Sequence, residues 1–191
     1  MKTEIVRTDE QNTEEEALKR GGRILKAGGL VAFPTETVYG LGGDAMNPES
    51  SRKIYAAKGR PSDNPLIVHI CRWEDIYRVA DKVPAAAEKI AEKFWPGPVT
   101  MILPKAKEVP YETTGGLDTV AIRMPSHVTA RKLIDYAGGF VAAPSANRSG
   151  KPSPTLAKYV EEDLDGLIDM IIDGGEVGIG LESTIIDLTV T

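Results

Sequence analysis

Side chains able to bind an anionic ligand are concentrated between Phe33 and His69, beside apolar segments of the chain. The hydroxyl, cationic, amide and imidazole groups of this block that we single out are Thr35, Thr37, Lys58, Arg60, Asn64 and His69. Lys and Arg neutralise phosphate oxygens, and hydroxyl and amide groups donate hydrogen bonds to them. Loops at strand ends are where binding chemistry is usually found. The block therefore predicts a site for a phosphate-bearing ligand.

Further polar side chains follow later apolar segments: Arg123, Ser145, Asn147, Ser153 and Ser183. In a strand, residues two apart share a face, so His69 shares one with Ile67, and Arg123 shares one with Ala121 and Thr119. Each of these polar groups can therefore face a cavity. A lone histidine or arginine in a strand is more often structural, but the cations at 58 and 60 favour the functional interpretation.

The first elements are marked by capping signals. The sequence Thr13-Glu14-Glu15-Glu16 is typical of a capping box, which predicts a helix that ends at Gly28-Gly29. Asn47-Pro48 predicts the start of a second helix, which Gly59 ends. Lys58 and Arg60 would then lie at the C-terminal end of this second helix.

The remaining apolar segments predict an alternation of strands and helices. The predicted strands are 30–33, 66–70, 99–103, 119–124, 140–143, 170–172 and 184–188, and the further predicted helices are 84–94, 126–136 and 156–163. Several strands follow one another without a clear helix between them, which favours a mixed sheet over a purely parallel one. We expect an α/β fold in which a twisted mixed sheet, flanked by helices, surrounds a concave binding cleft.

Familiar catalytic motifs are weak or absent. Residues 40–45 fit G-x-G-x-x-A only loosely, without a clean strand, turn and helix around them. Residues 149–151 lack the remaining positions of a P-loop. The serines at 145, 149 and 153 lack a G-x-S-x-G elbow, so covalent serine catalysis is not indicated.

Composition excludes other classes of protein. The 191 residues, 41% hydrophobic and 27% charged, suit one globular domain over 1–191. No run approaches the ~20 apolar residues of a membrane span, and the first ten residues do not form a secretory signal, so we expect a cytoplasmic protein. The single Cys71 and two histidines leave no cysteine-rich metal site or internal disulfide. A net charge of −5 argues against a protein that coats nucleic acid.

Five ordered motifs carry a resemblance to a known family. They are Pro34-Thr35-Glu36-Thr37-Val38-Tyr39-Gly40-Leu41, Lys58-Gly59-Arg60-Pro61 with Asn64-Pro65-Leu66, Ala121-Ile122-Arg123-Met124-Pro125, Pro144-Ser145-Ala146-Asn147 with Ser149-Gly150, and Glu182-Ser183-Thr184-Ile185-Ile186-Asp187. Together they closely resemble the YrdC/TsaC family of threonylcarbamoyl-AMP synthases. The resemblance extends from about residue 20 to residue 188.

The resemblance implies a reaction. L-threonine, bicarbonate and ATP would give L-threonylcarbamoyladenylate and pyrophosphate, and the product would feed threonylcarbamoyladenosine formation in tRNA. Magnesium would accompany ATP, held mainly by phosphate oxygens, so no protein metal ligand is named. A downstream complex that transfers the threonylcarbamoyl group to tRNA is the implied partner.

The resemblance also implies roles for the polar residues. Threonine would be bound by Thr35, Thr37, His69, Arg123 and Ser183, with Arg123 as the clamp for the carboxylate. ATP would be bound by Lys58, Arg60, Asn64, Ser145, Asn147 and Ser153. The two cations Lys58 and Arg60 would carry the catalytic charge stabilisation.

Two alternative functions remain open, and the sequence differs from the family pattern at one place. The family fold is also compatible with a double-stranded RNA-binding module or with a carbamoyltransferase domain like those of hydrogenase maturation. Relatives usually continue beyond the last motif to an Arg-Pro-Gly element, and long forms add a second domain. Here the chain stops at Thr191. We therefore expect either a shortened version of a longer protein or the loss of a final nucleotide contact.

Overall fold

One mixed sheet runs through the residues that the computed structural model describes, 2–8 and 14–190. Within them its nine strands are β1 (Glu4–Arg7), β2 (Val31–Phe33), β3 (Gly40–Asp44), β4 (Ile67–His69), β5 (Val99–Pro104), β6 (Thr119–Arg123), β7 (Val141–Ala142), β8 (Met170–Asp173) and β9 (Thr184–Asp187). Their order is β1-β8-β2-β3-β7-β4-β6-β5-β9. The sheet contains both parallel pairs such as β4–β6 and antiparallel pairs such as β5–β6, which confirms the predicted mixed sheet.

Helices cover both faces of the sheet. They are α1 (Glu14–Lys26), α2 (Pro48–Lys58), α3 (Ile76–Val79), α4 (Ala85–Phe94), α5 (Tyr111–Thr114), α6 (Val128–Tyr136) and α7 (Ala157–Leu164), with a 3-10 helix at Trp73–Asp75. The buried side chains of α1 and α6 pack on one face, and those of α2, α4 and α7 pack on the other. No helix within the described residues is both long and apolar enough to cross a membrane.

Strand periodicity assigns side chains to these two layers. In β2, Val31 and Phe33 face α1 and α6, whereas Ala32 belongs to the opposite core. The same alternation recurs in β8, where Met170 and Ile172 flank Ile171. Because successive side chains point to opposite faces, these short apolar strands supply both cores at once.

The two faces are not equally covered. On the side of α1 and α6, the packed core draws its strand residues from β2, β7 and β8 and their ends. On the same side, alternate residues of β4, β6, β5 and β9 line a cavity instead. Uneven helix coverage thus leaves half of one sheet face available for a ligand.

The predicted elements around the site are confirmed with small shifts of their ends. The side chain of Asn47 caps α2 by accepting a hydrogen bond from Glu49 N at 3.0 Å, and Gly59 ends the helix with φ of +61°. Such a left-handed conformation suits glycine because it has no Cβ. The predicted cap at Thr13 lies outside the described residues.

The sequence patterns missed β1, β3 and the short helices. Residues 40–45, compared above with a dinucleotide-binding loop, lie in and directly after β3, which pairs antiparallel with β2 and β7. A Cβ on Gly42 would meet Cε1 of Phe33 at 2.9 Å, so the ring occupies the place of a side chain. This glycine therefore permits close packing and does not serve a nucleotide turn.

Candidate active site

A cavity of about 370 Å³ lies against the uncovered half of the sheet. Its lining residues come from five strands and from the loops around them: Thr35, Thr37, Val38, Gly40, Arg60, Asn64, Pro65, Ile67, His69, Ile102, Ala121, Arg123, Ala143, Pro144, Ser145, Glu182, Ser183 and Ile185. Eight of the sequence-predicted site residues are among them. The three that do not line the cavity are Lys58, Asn147 and Ser153.

Two neighbouring parallel strands place the imidazole and the guanidinium in this cavity. In the register of β4 and β6, His69 lies beside Arg123 and Ile67 lies beside Ala121. All four residues line the cavity, as the alternation of each strand predicts, whereas Thr119 does not. The strand pairing therefore brings together two polar groups that are 54 positions apart in the sequence.

Arg123 is the buried cation of the cavity, with 4% of its surface exposed. Its Nη1 donates to Thr37 Oγ1 at 3.0 Å, and its Nε donates to Gly97 O at 3.4 Å. Its Nη2 donates to Glu36 Oε1 in an ion pair. A guanidinium has five N–H groups, so two remain for a ligand. Arg123 is thus held in place on three sides while it keeps donors for an anion.

Glu36 holds this arrangement together, although the sequence analysis gave it no role. Its second carboxylate oxygen, Oε2, accepts hydrogen bonds from Ser126 N at 3.1 Å and from His127 N at 3.4 Å. The carboxylate therefore joins Arg123 to the residues that precede α6. The sequence held a signal for this role, because Glu36 stands between Thr35 and Thr37, two residues already assigned to the binding site.

The loop after β2 forms the hydroxyl wall of the cavity. Thr35 Oγ1 donates to Val38 O at 2.7 Å and accepts from Thr37 N at 3.2 Å, which closes a tight turn. The hydroxyl groups of Thr35 and Thr37 are 2.9 Å apart. Both side chains are buried. Their positions are therefore fixed before any ligand binds.

His69 is a neutral hydrogen-bond acceptor in this cavity. Burial first, and the neighbouring Arg123 second, lower the pKa of His69 to about 3. Nδ1 lies 3.1 Å from Ile67 O. Because a carbonyl oxygen only accepts, Nδ1 must carry the proton, which leaves Nε2 with a free lone pair. The imidazole can therefore accept an N–H or O–H from a ligand, but it is a poor proton acceptor near pH 7.

The low pKa of His69 predicts a pH dependence of stability. Between about pH 3 and pH 6.5 the unfolded chain binds a proton at this residue and the folded chain does not, so the free energy of unfolding falls as the pH falls. The expected contribution is a loss of about 2 kcal/mol between pH 7 and pH 5. Urea unfolding of the native chain and of His69→Gln at both pH values measures it. Equal pH dependence of the two proteins would contradict the assignment.

Arg60 reaches the cavity from the loop that follows α2. Its Nε donates to Asn64 O at 3.2 Å and its Nη2 donates to Pro65 O at 3.1 Å, which folds the loop around the guanidinium. Arg60, Asn64 and Pro65 all line the cavity. Burial lowers the pKa of Arg60, but an arginine remains charged near neutral pH. A second cation thus lines the cavity together with Arg123.

Lys58 does not line the cavity but contacts the backbone of a loop beside it. Its side chain is buried, and its Nζ donates to the carbonyl oxygens of Ser145 and Asn147. Burial first, and Arg60 second, lower the pKa of Lys58 to about 8. The ammonium group therefore fixes the loop that presents Ser145 to the cavity. One of its three N–H donors remains for another acceptor.

Asn147 and Ser153 lie behind the cavity lining. Asn147 Nδ2 donates to Arg148 O at 2.9 Å and to Lys151 O at 2.8 Å, while its buried Oδ1 has no hydrogen-bond partner among the described residues. Ser153 Oγ donates to Glu182 Oε1 at 2.8 Å. Through Glu182, which does line the cavity, Ser153 supports the site from outside it.

The segment that precedes β9 forms part of the cavity wall. Ile179 N donates to Glu36 O at 3.0 Å, and Gly180 N donates to Thr37 O at 2.8 Å, so the segment is anchored to the threonine loop. At its end, the Ser183 hydroxyl lies 2.7 Å from Thr100 Oγ1. Glu182, to which the sequence analysis gave no role, is the cavity's lining carboxylate within the described residues. The motif at 182–187 had placed it beside Ser183.

Comparison with known proteins identifies the family to which this chain belongs. A family model described as Sua5_yciO_yrdC, telomere recombination, matches residues 23–191. The chain belongs to the Sua5/YciO/YrdC family. The resemblance drawn from the five motifs is therefore confirmed.

Two curated members of the Sua5/YciO/YrdC family are close relatives. The chain is 54% identical over 179 residues to the threonylcarbamoyl-AMP synthase of Pyrococcus abyssi, covering 94% of this chain and 53% of that protein. It is 51% identical over 180 residues to the threonylcarbamoyl-AMP synthase of Bacillus subtilis, covering 94% of this chain and 52% of that protein. The chain thus spans about half the length of these curated relatives.

A solved structure of the family has the same fold. The crystal structure of P. abyssi Sua5 complexed with L-threonine matches with a TM-score of 0.94 and 52% sequence identity. The match covers 100% of this chain and 55% of that chain. The predicted fold class, a mixed sheet flanked by helices, is confirmed by this likeness.

Proposed function

We propose that this chain supplies the catalytic domain of a threonylcarbamoyl-AMP synthase. In the proposed reaction, the neutral amine of L-threonine attacks the carbon of bicarbonate to form a carbamate, and the bicarbonate hydroxyl leaves as water together with a proton from the amine. A carbamate oxygen then attacks the α-phosphate of ATP, and pyrophosphate leaves. One observation carries this proposal: a single cavity is lined by two cations, Arg123 and Arg60, by the neutral His69 and by hydroxyl groups held in fixed positions. The names of the relatives support it.

The threonine substrate suits the part of the cavity around Arg123. The two free N–H groups of its guanidinium are donors for a carboxylate. The lone pair on Nε2 of His69 can accept a hydrogen bond from the substrate amine. The hydroxyls of Thr35, Thr37 and Ser183 offer hydrogen bonds to the remaining polar atoms of the amino acid. Because Arg123, Thr37 and Thr35 are buried and already bonded to one another, they would bind the substrate with little loss of side-chain freedom.

The nucleotide suits the part of the cavity around Arg60. Its guanidinium, the amide of Asn64 and the hydroxyl of Ser145 can all donate to phosphate oxygens. Lys58 would act chiefly by holding the loop at Ser145 and by adding positive charge nearby. Asn147 and Ser153 would support the same region from behind. This arrangement revises the direct phosphate contact expected of Lys58.

Charge and position explain how such a site would work without a nucleophilic side chain. The carbamate and the triphosphate are both anions, so their approach is opposed by mutual repulsion. The cations Arg123 and Arg60 line the same cavity and would lower that repulsion. Holding both substrates in fixed positions lowers the entropic barrier, and preorganised charges stabilise the transition state. The neutral His69 would orient the amine and not deprotonate it.

Magnesium would enter this site with ATP. Mg²⁺ is commonly held by phosphate oxygens, waters and one or two carboxylates. The cavity offers the carboxylate of Glu182, which fits this pattern. The metal would neutralise part of the phosphate charge. No cluster of three or more His, Cys, Asp or Glu side chains suited to a metal was found in the described part of the chain.

The product would be consumed in a cytoplasmic tRNA modification. A carbamoyl adenylate is a mixed anhydride, and its acyl group is activated for transfer to an amine. A complex that binds tRNA and this adenylate is the partner that the proposed reaction requires.

Release of pyrophosphate tests the proposed function directly. With ATP and magnesium present, we expect its formation to require both L-threonine and bicarbonate. Substituting L-serine tests whether the pocket around Thr35 and Thr37 reads the side-chain methyl group, and we expect a slower rate. Equal release in the absence of threonine would contradict the proposal, because it would indicate simple ATP hydrolysis.

A further inference from the structure

A second pocket, of about 420 Å³, lies between α4 and the 3-10 helix. It is lined by Trp73, Glu88, Ala91, Glu92, Trp95 and Met124. None of these residues lines the cavity described above. Pockets of a few hundred Å³ are large enough to enclose a long side chain or a small ligand.

Two indole rings form the walls of this pocket. The ring centroids of Trp73 and Trp95 are 6.2 Å apart, and their planes meet at 63°. Trp95 Nε1 donates to Val99 O at 2.7 Å, so its polar group is already used. What Trp95 offers to an occupant is therefore ring surface. Met124 and Ala91, both largely buried, add further apolar surface.

Two carboxylates line the pocket together with the two indole rings. Glu88 and Glu92 stand one helical turn apart on α4, which places them on the same face. No lysine or arginine is among the described residues that line the pocket. The nearby Lys93 places its Nζ over the ring of Phe94, 5.4 Å from the centroid. Aromatic rings and carboxylates both attract cations, so this pocket favours a positively charged occupant and disfavours nucleic acid.

We propose that this pocket binds a lysine or arginine side chain of a partner protein. The surroundings favour a protein as the source of the cation, because Tyr77 and Phe94 next to the pocket are 54% and 44% exposed. Tyr77 packs edge-on against Trp73, with ring centroids 5.9 Å apart. Exposed aromatic residues around a cavity are typical of protein interfaces. This binding site goes beyond the proposed synthase activity and does not depend on it.

Tryptophan fluorescence, excited selectively over tyrosine, can report on this pocket, because the chain has only two tryptophans and both line it. We expect an acetylated tetra-lysine peptide to change the tryptophan emission saturably, with half-saturation on the order of 1 mM. The change should weaken as salt is raised from 50 mM to about 500 mM, because exposed charges are screened. An acetylated tetra-glutamate peptide should cause no saturable change.

A double substitution, Glu88→Gln with Glu92→Gln, removes the charge and keeps the shape of the side chains. We expect it to raise the half-saturation concentration about tenfold. Glu161→Gln with Glu162→Gln on α7 is the matched control, since it removes the same charge elsewhere on the surface and should leave the titration unchanged. Equal titrations of the native and Glu88→Gln/Glu92→Gln proteins would overturn the proposal. So would a saturable response to tetra-glutamate, or dimerisation in sedimentation experiments that shields the tryptophans without peptide.

Discussion

Replacing Arg123 with alanine is expected to weaken the binding of L-threonine about 100-fold. The substitution removes the guanidinium proposed to pair with the substrate carboxylate, and charge-assisted hydrogen bonds each contribute about 1.5–3 kcal/mol. Isothermal titration with L-threonine, in the absence of ATP, measures this loss. Unchanged affinity would show that the carboxylate is bound elsewhere.

The same substitution has a second expected effect, on stability. It leaves the carboxylate of Glu36, whose side chain is 15% exposed, without its cationic partner. Removing one partner of a buried ion pair costs about 3–5 kcal/mol. Adding Glu36→Gln to Arg123→Ala removes the unpaired charge, so the double variant should regain part of the stability and none of the threonine affinity. This combination separates loss of binding from loss of folding.

Substitutions of Lys58 and Arg60 are expected to have different effects on stability and turnover, although the two residues are only two positions apart in the sequence. Lys58→Met removes two buried hydrogen bonds to carbonyl groups and should lower the free energy of unfolding by about 2–4 kcal/mol. Arg60→Ala should change it by less than about 1 kcal/mol and should reduce ATP-dependent turnover about 100- to 1000-fold. Urea unfolding and pyrophosphate release, measured on both variants, test the two roles.

Arg7→Ala is a suitable control for the loss of one positive charge, because the Arg7 side chain is 88% exposed and lies away from the cavity on β1. It should alter neither stability nor turnover appreciably. If Lys58→Met proved as stable as the native chain, the structural role assigned to its ammonium group would be wrong. If Arg60→Ala kept native turnover, the nucleotide end of the cavity would need another cation.

Strand periodicity was enough to predict that His69 and Arg123 can each face a cavity, but not that their two strands pair. Both stand in short apolar strands, and alternation gives each the same face as a neighbour that also lines the cavity. The helix that leads to Arg60 was equally readable, because Asn47, Pro48 and Gly59 are local signals. Features set by neighbours in the sequence could therefore be derived without a structure.

The roles that sequence reasoning missed depend on residues far apart in the chain. Lys58 bonds with the backbone of Ser145 and Asn147, 87 and 89 positions away, and no local pattern reveals those carbonyl groups. Glu36 likewise meets Arg123 across 87 positions. Strand β3 escaped notice because its glycines leave room for Phe33 in place of side chains of their own.

The most direct test of the central claim is mass spectrometry of the product formed from ¹³C-bicarbonate, L-threonine, ATP and magnesium. The account predicts an adenylate that contains threonine and one ¹³C atom, and that is absent when threonine is omitted. Arg123→Ala with Glu36→Gln should give little of it at the same threonine concentration. Formation of AMP or ADP with no threonine-dependent ¹³C-labelled adenylate would contradict the account.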